Sequence, residues 1–300
     1  MKSLHSVTRL LLVTALLPFA LSAAEEKSME ELSKEMANPL AQIWNLSFQN
    51  NYTVFKADNI GGTNISGEDH INTTLFQPVL PIPLDNGMTA FARPVVTYID
   101  APTGIRLNAD NPLKPYVVGR DREAKLGDLI LPMGVGIVRT KGWSYGGGAT
   151  FIFPTSQHET VASHQYQVGP TALALWGSDD WTVGAHIQHW WGVAGDSDFN
   201  DATDKLANHT DMQYFIIYHL PHAWQLRASP HVTYNWNAKS KNALTLPLAL
   251  GVGKMFKVGP MPIMVMAEYQ KAIIKPDFLD DENTLMIQAN FIIKNPFGEL

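Results

Sequence analysis

The sequence predicts an all-β protein: a closed, antiparallel transmembrane β-barrel of about twelve strands, with a short N-terminal helix on the periplasmic side. Three observations predict it. Apolar and polar residues alternate through most of the chain, the alternating runs are long, and short turns alternate with long loops. Soluble strands average about five or six residues, whereas strands crossing a bilayer obliquely need about nine to eleven. The runs here last about ten residues. The apolar face of such a strand can meet lipid and its polar face a lumen, provided the sheet closes and leaves no backbone group unpaired in hydrocarbon.

The elements follow in order. Residues 1–24 read as a signal peptide: Lys2 and Arg9 flank a basic start, Leu10 to Ala20 is apolar, and Ser22-Ala23-Ala24 supplies small residues for a cut before Glu25. The apolar run is about half the roughly 20 residues a membrane-spanning helix needs. Residues 25–40 form the periplasmic segment, where Met29, Leu32 and Met36 recur at helical spacing within a charged stretch. Residues 41–300 form the outer-membrane barrel. Leu46, Phe48, Tyr52 and Val54 alternate with Asn45, Ser47, Gln49, Asn51 and Thr53. Trp224, Leu226, Val232 and Tyr234 alternate in the same way with Gln225, Arg227, Thr233 and Asn235. Strands are expected to begin near Asn45, His70, Thr89, Asp128, Trp143, Gln165, Trp181, Asp211, Trp224, Ala243, Ile263 and Thr284.

Short connections stand at Asp85-Asn86-Gly87, Thr140-Lys141-Gly142, Ser178-Asp179-Asp180, Pro221-His222 and Lys257 to Pro260. Between them lie longer polar loops, among them Asp100 to Lys125, Thr155 to His164, Gly195 to His209 and Lys275 to Asn283. That rhythm is the hairpin topology of an outer-membrane barrel, with tight periplasmic turns and larger outer loops. Trp143, Trp176, Trp181, Trp190, Trp191, Trp224, Trp236 and Tyr234 fall near strand ends, as headgroup-level girdles require. Pro78, Pro94, Pro132, Pro170, Pro230 and Pro247 fall inside expected strands, where each removes a ladder donor unless it sits at a bulge.

Composition narrows the chemistry. Against 28 Asp and Glu stand 22 Lys and Arg, a formal charge of −6, which excludes the basic footprint of nucleic-acid binding. The absence of cysteine excludes disulfides, zinc thiolates and a cysteine nucleophile. His186 and His189 point to opposite faces of one strand and cannot share a metal, and no motif calls for a cofactor. No HExxH or Walker pattern occurs. Ser163-His164 and the pair Ser229 and His231 are among the neighbouring Ser and His, so a hydrolase assembled from separate strands stands as a third reading behind two non-enzymatic ones.

Several segments resemble a known family. They are Asn38-Pro39 with Phe48-Gln49-Asn50-Asn51, Gln77-Pro78-Val79-Leu80-Pro81, Gly127-Asp128 and Phe151-Ile152-Phe153-Pro154-Thr155. Val168-Gly169-Pro170-Thr171-Ala172 and Leu246-Pro247-Leu248-Ala249-Leu250-Gly251-Val252-Gly253-Lys254 continue the likeness. In order, and over nearly the whole chain after the leader, these resemble the outer-membrane proteins grouped as "meta-pathway of phenol degradation", often labelled transporter or neuromedin U. The resemblance implies an outer-membrane barrel of this size that passes hydrophobic or aromatic compounds. The chain departs from the usual pattern at its end, where Phe291-Ile292-Ile293 is followed by Lys294 to Leu300 and Phe297 stands in for a terminal aromatic residue.

With apolar residues toward lipid, Arg93, Asp128, His186, Gln213, Arg227, His231, Glu268, Gln288 and Asn290 face the lumen, since Arg on the lipid face at midplane costs about 2–4 kcal/mol. Phe76, Phe91, Phe215 and Met266 share that polar face, so the lumen is mixed. The partners implied are outer-membrane lipid and lipopolysaccharide outside and a small-molecule solute inside, with no nucleic acid and no cofactor. Two readings follow: a passive channel for small hydrophobic or aromatic molecules, or a barrel with a plugged lumen that serves structure or interaction.

Overall fold

The structure is a computed structural model that describes residues 27–57, 67–106, 117–156, 158, 161–196, 205–277 and 279–297. The leader and its cleavage site lie outside the described residues, as do parts of several loops. One α-helix, α1 (Met29–Met36), precedes sixteen strand segments among the described residues. The first eight are β1 (Trp44–Ala57), β2 (Gly67–Phe76), β3 (Leu80–Pro83), β4 (Thr89–Ala92), β5 (Val96–Arg106), β6 (Val117–Leu126), β7 (Leu129–Ile137) and β8 (Gly142–Phe153). The others are β9 (Gln165–Gly177), β10 (Trp181–Gly195), β11 (Asn208–Leu220), β12 (Trp224–Ala228), β13 (His231–Asn235), β14 (Leu244–Val258), β15 (Met261–Ile274) and β16 (Leu279–Ile293).

Four of these staves are interrupted. β2 continues into β3 across Gln77-Pro78-Val79, and β4 into β5 across Arg93-Pro94-Val95. β6 continues into β7 across Gly127-Asp128, and β12 into β13 across Ser229-Pro230. Joined across the breaks, the segments make about twelve staves, each antiparallel to its neighbours, and β1 pairs with β16 to close the ring. A closed ring of antiparallel staves satisfies its own backbone, which is what hydrocarbon demands.

The hydropathy is inverted, as a barrel in lipid requires. Tyr269 is 52% exposed, whereas its neighbour Glu268 is 1% exposed. Leu226, Leu248, Leu250, Val252 and Ile287 face outward, while Ser47, Thr73, Gln188, Asp211 and Asn290 are buried inside. Trp143, Trp176, Trp181 and Trp224 gather on the outer surface at the short-turn end, and Trp191 and Trp236 at the long-loop end. Trp190 corrects the girdle: it is fully buried, packed with Leu75, Val95, Ile130 and Ile152 and stacked on His209. Phe76 corrects the lumen, because it pairs in register with exposed Phe48, their rings 4.9 Å apart on the lipid face.

The expected loop Asp100 to Lys125 is largely a hairpin. β5 runs on to Arg106 and β6 begins at Val117, so the stave expected to begin near Asp128 begins earlier. Its charges mislead a hydropathy reading: Arg122 pairs with Asp69 and Asp100 at 3.2 Å each, and a hairpin held by ion pairs beyond the bilayer needs no apolar face. β16 likewise begins at Leu279 rather than Thr284, through a polar stretch that pairs with Lys56 and Phe55.

The prolines are not scattered defects. Pro78, Pro94 and Pro230 lie in breaks, and Pro247 sits at a register shift. The register on either side of the breaks sets Pro78 opposite Pro94 and Arg93 opposite Pro132, whose carbonyl accepts the Arg93 N–H at 3.0 Å.

Candidate functional site

The interior is the candidate site, and the N-terminal segment shapes its short-turn mouth. Ser28 caps α1 by accepting the Glu31 N–H, while the Glu31 carboxylate accepts the Ser28 N–H at 2.9 Å. This reciprocal box starts the helix. Leu32, with Met29 and Met36, packs on Ala223, Met255, Met264 and Met266 inside the barrel wall. Gln225 donates to the Ser33 carbonyl at 2.9 Å, and the Glu30 carboxylate accepts the His222 N–H at 2.7 Å. Beyond the helix, Asn38 donates to Ser144 of β8 at 3.0 Å and Leu40 buries itself against Leu173, Leu175 and Phe215. β8 and β14 lie on opposite sides of the ring, so the segment crosses the mouth from wall to wall. Gly136 and Gly146 face each other where it passes. A Cβ on Gly136 would stand 2.7 Å from the Leu40 Cδ1, so glycine makes that close approach possible.

Beyond this segment the lumen holds two chambers. The one toward the long loops encloses about 1010 Å³ of empty space and the one toward the short turns about 690 Å³, open solvent included. Gln49, Gln77, Arg93, Gln213 and Gln288 border both and form the waist between them. Gln77 donates to Gln49 at 2.8 Å, Gln288 to Ser47 at 2.8 Å, and Gln213 to the Ser229 carbonyl at 3.0 Å. Gln77 and Arg93 each directly precede a proline, so two of the four breaks in the ladder fall at residues that line the waist, while Ser229, before Pro230, lines the long-loop chamber.

The residues singled out from sequence divide by place. Arg93, Gln213 and Gln288 lie at the waist, His231 lines the long-loop chamber, and Arg227 and Asn290 line the short-turn chamber. Arg227 Nε lies 3.8 Å from Glu268 Oε2, and its guanidinium also donates to Ser229 and reaches the Met266 sulfur. Glu268 is fully occupied, accepting the Ser229 N–H at 2.9 Å, the Ser229 hydroxyl at 3.0 Å and the Gln270 amide at 2.9 Å. His231 Nδ1 sits 2.6 Å from Asp211. His186 is buried against Thr171 at 2.7 Å and borders a third, smaller cavity. Asp128 is placed elsewhere: fully buried near the long-loop end, it accepts the Ser156 N–H and both the N–H and hydroxyl of Ser163, pinning the segment after β8.

In neither of the two Ser and His pairs named above does the serine donate to its histidine: the Ser163 hydroxyl goes to Asp128 and the Ser229 hydroxyl to Glu268. Among the described residues no group of three metal-ligating side chains gathers. Sequence reasoning missed Asp211 and Glu282 in the long-loop chamber, Gln49 and Gln77 at the waist, and the return of Pro39 and Leu40 into the lumen. Alternation placed Gln49 on the polar face, but no local signal distinguishes a waist residue from any other inward one.

The overall architecture has solved counterparts. The chain superposes on the COG4313 outer membrane channel from Pseudomonas putida F1 with a TM-score of 0.55, at 11% identity over 83% of this chain and 95% of that one. It superposes on the NanC porin with a TM-score of 0.50, at 13% identity over 83% of this chain and 99% of that one. This is the fold of an outer-membrane β-barrel. Its apolar outer surface is in contact with membrane lipid. No protein-family model matches the sequence, and no curated protein matches it.

Proposed function

We propose that the chain is a passive outer-membrane channel for small molecules, of hydrophobic or aromatic character, with the short-turn end in the periplasm and the leader removed before Glu25. The observation that carries it is the pair of polar-lined chambers meeting at a waist of amides and one arginine. Phe91, Phe215 and Met266 on the inner wall support solutes with an apolar body. Lipopolysaccharide is the lipid partner on the long-loop side. A second reading, a barrel kept shut, is favoured by the segment that crosses the short-turn mouth.

Planar-bilayer recordings decide between them. The channel reading expects ion current through wild type and a larger unit conductance after deletion of residues 27–41. A barrel that passes no current in either form is structural. The orientation is tested with single cysteines at Asn86 and Ser240: an impermeant maleimide should label Ser240→Cys on intact cells and Asn86→Cys only after lysis.

A further inference from the structure

Arg93 stands where three spaces meet. It borders both chambers and a third, narrow cleft of about 320 Å³ of empty space, open solvent included, walled by Leu40, Val79, Phe91 and Leu173. Apart from the guanidinium, that niche has one other ionisable group, His186, which is engaged by Thr171. Leu40 comes from the N-terminal segment, so one wall of the niche belongs to the part that crosses the mouth.

The guanidinium is free to bind. Among the described residues Arg93 makes no side-chain hydrogen bond and no ion pair, and its Nε is sealed from solvent without an acceptor. The other charges of the lumen are engaged. Arg227 is held by Glu268, and Asp211, whose charge reaches Arg93, is hydrogen-bonded to His231. Glu282 lies near the start of β16, toward the long-loop mouth. The waist amides are committed as well, with Gln77 donating to Gln49 and Gln213 to Ser229. What remains is a guanidinium fork with no acceptor beside it, and its natural complement is a carboxylate held by two parallel hydrogen bonds.

We propose that Arg93 and the niche beside it bind small monocarboxylates carrying an apolar ring, the carboxylate on the guanidinium and the ring between Phe91, Val79 and Leu40. The inference rests on the channel reading and names the solute class of its waist. A dianion is disfavoured because one arginine beside Asp211 cannot neutralise it, and a neutral ring leaves the fork unmatched.

Titration calorimetry of the purified full-length protein in detergent tests it, with benzoate as probe and benzyl alcohol and formate as controls. Benzoate should bind at least about tenfold more tightly than either control, and Arg93→Gln should remove that margin. Arg93→Lys, which keeps the charge and loses the fork, should fall between the two and provides the readout if Arg93→Gln fails to fold. Unchanged benzoate affinity in the folded variants overturns the proposal. So does formate binding as well as benzoate, which would make the niche irrelevant, or benzyl alcohol doing so, which would make the arginine irrelevant. Absence of current in wild type refutes the channel while leaving the calorimetry readable. Current without Arg93-dependent benzoate binding overturns this inference alone.

Discussion

Two inward arginines of one barrel have opposite fates. Arg227 is locked to Glu268, Ser229 and Gln225, whereas Arg93 meets no acceptor among the described residues. Removing one partner of a buried pair strands the other and costs on the order of 3–5 kcal/mol. Glu268→Gln should therefore lower the temperature at which the barrel loses its folded electrophoretic mobility, while Arg93→Gln should leave it unchanged. Equal effects in both would show that Glu268 does not hold Arg227. Alternation alone made the inward direction of these residues legible, because period two assigns every strand residue a face. Their pairing was not legible. Arg227 and Glu268 sit on staves with β14 between them, and their common height depends on two successive registers that one sequence does not contain.

At the scale of elements, α1 is the piece whose form was readable and whose place was not. Ser28 and Glu31 are a capping signature, and Met29, Leu32 and Met36 make one apolar stripe. Nothing in that stripe says it docks on the inner wall, since a membrane surface would accept it equally. The cap makes the docking sensitive to acid. The Ser28 backbone N–H, then its hydroxyl, holds the Glu31 carboxyl below its ordinary value of 4.5. A depressed carboxyl stabilises the folded form above its unfolded value and loses that effect as pH falls through its folded value. Channel conductance should thus rise on titration from neutrality to about pH 3 as α1 loosens. Ser28→Ala, which removes a cap worth on the order of 1 kcal/mol, should raise conductance already at neutral pH. Unchanged conductance in both would mean that α1 does not restrict the mouth. The long β5–β6 hairpin teaches the reverse lesson: its charges hid a strand that ion pairs sustain outside the bilayer.

For the whole molecule, the closed antiparallel barrel and the inverted surface followed from strand length and alternation, while the breaks did not. The sequence displayed every proline, yet only the closed register sets Pro78 opposite Pro94 and brings Pro132 of the next stave within one residue of that line, with Pro170 of β9 a further residue off it. A ladder missing donors at successive staves is softer than one that is whole. The wall therefore has a compliant line across one side and a stiff arc through β14, β15, β16 and β1, where long registers run almost without interruption. Hydrogen–deuterium exchange by mass spectrometry should show it. Amides of Val79, Val95 and Met133 should exchange well before those of Val265 and Ala289, and uniform protection around the ring would contradict it. The niche beside Arg93 lies directly behind this line, bordered by Val79 and Pro132. A solute resting there has the most yielding part of the wall at its back, so the way out need not run along the barrel axis: lipid lies just beyond.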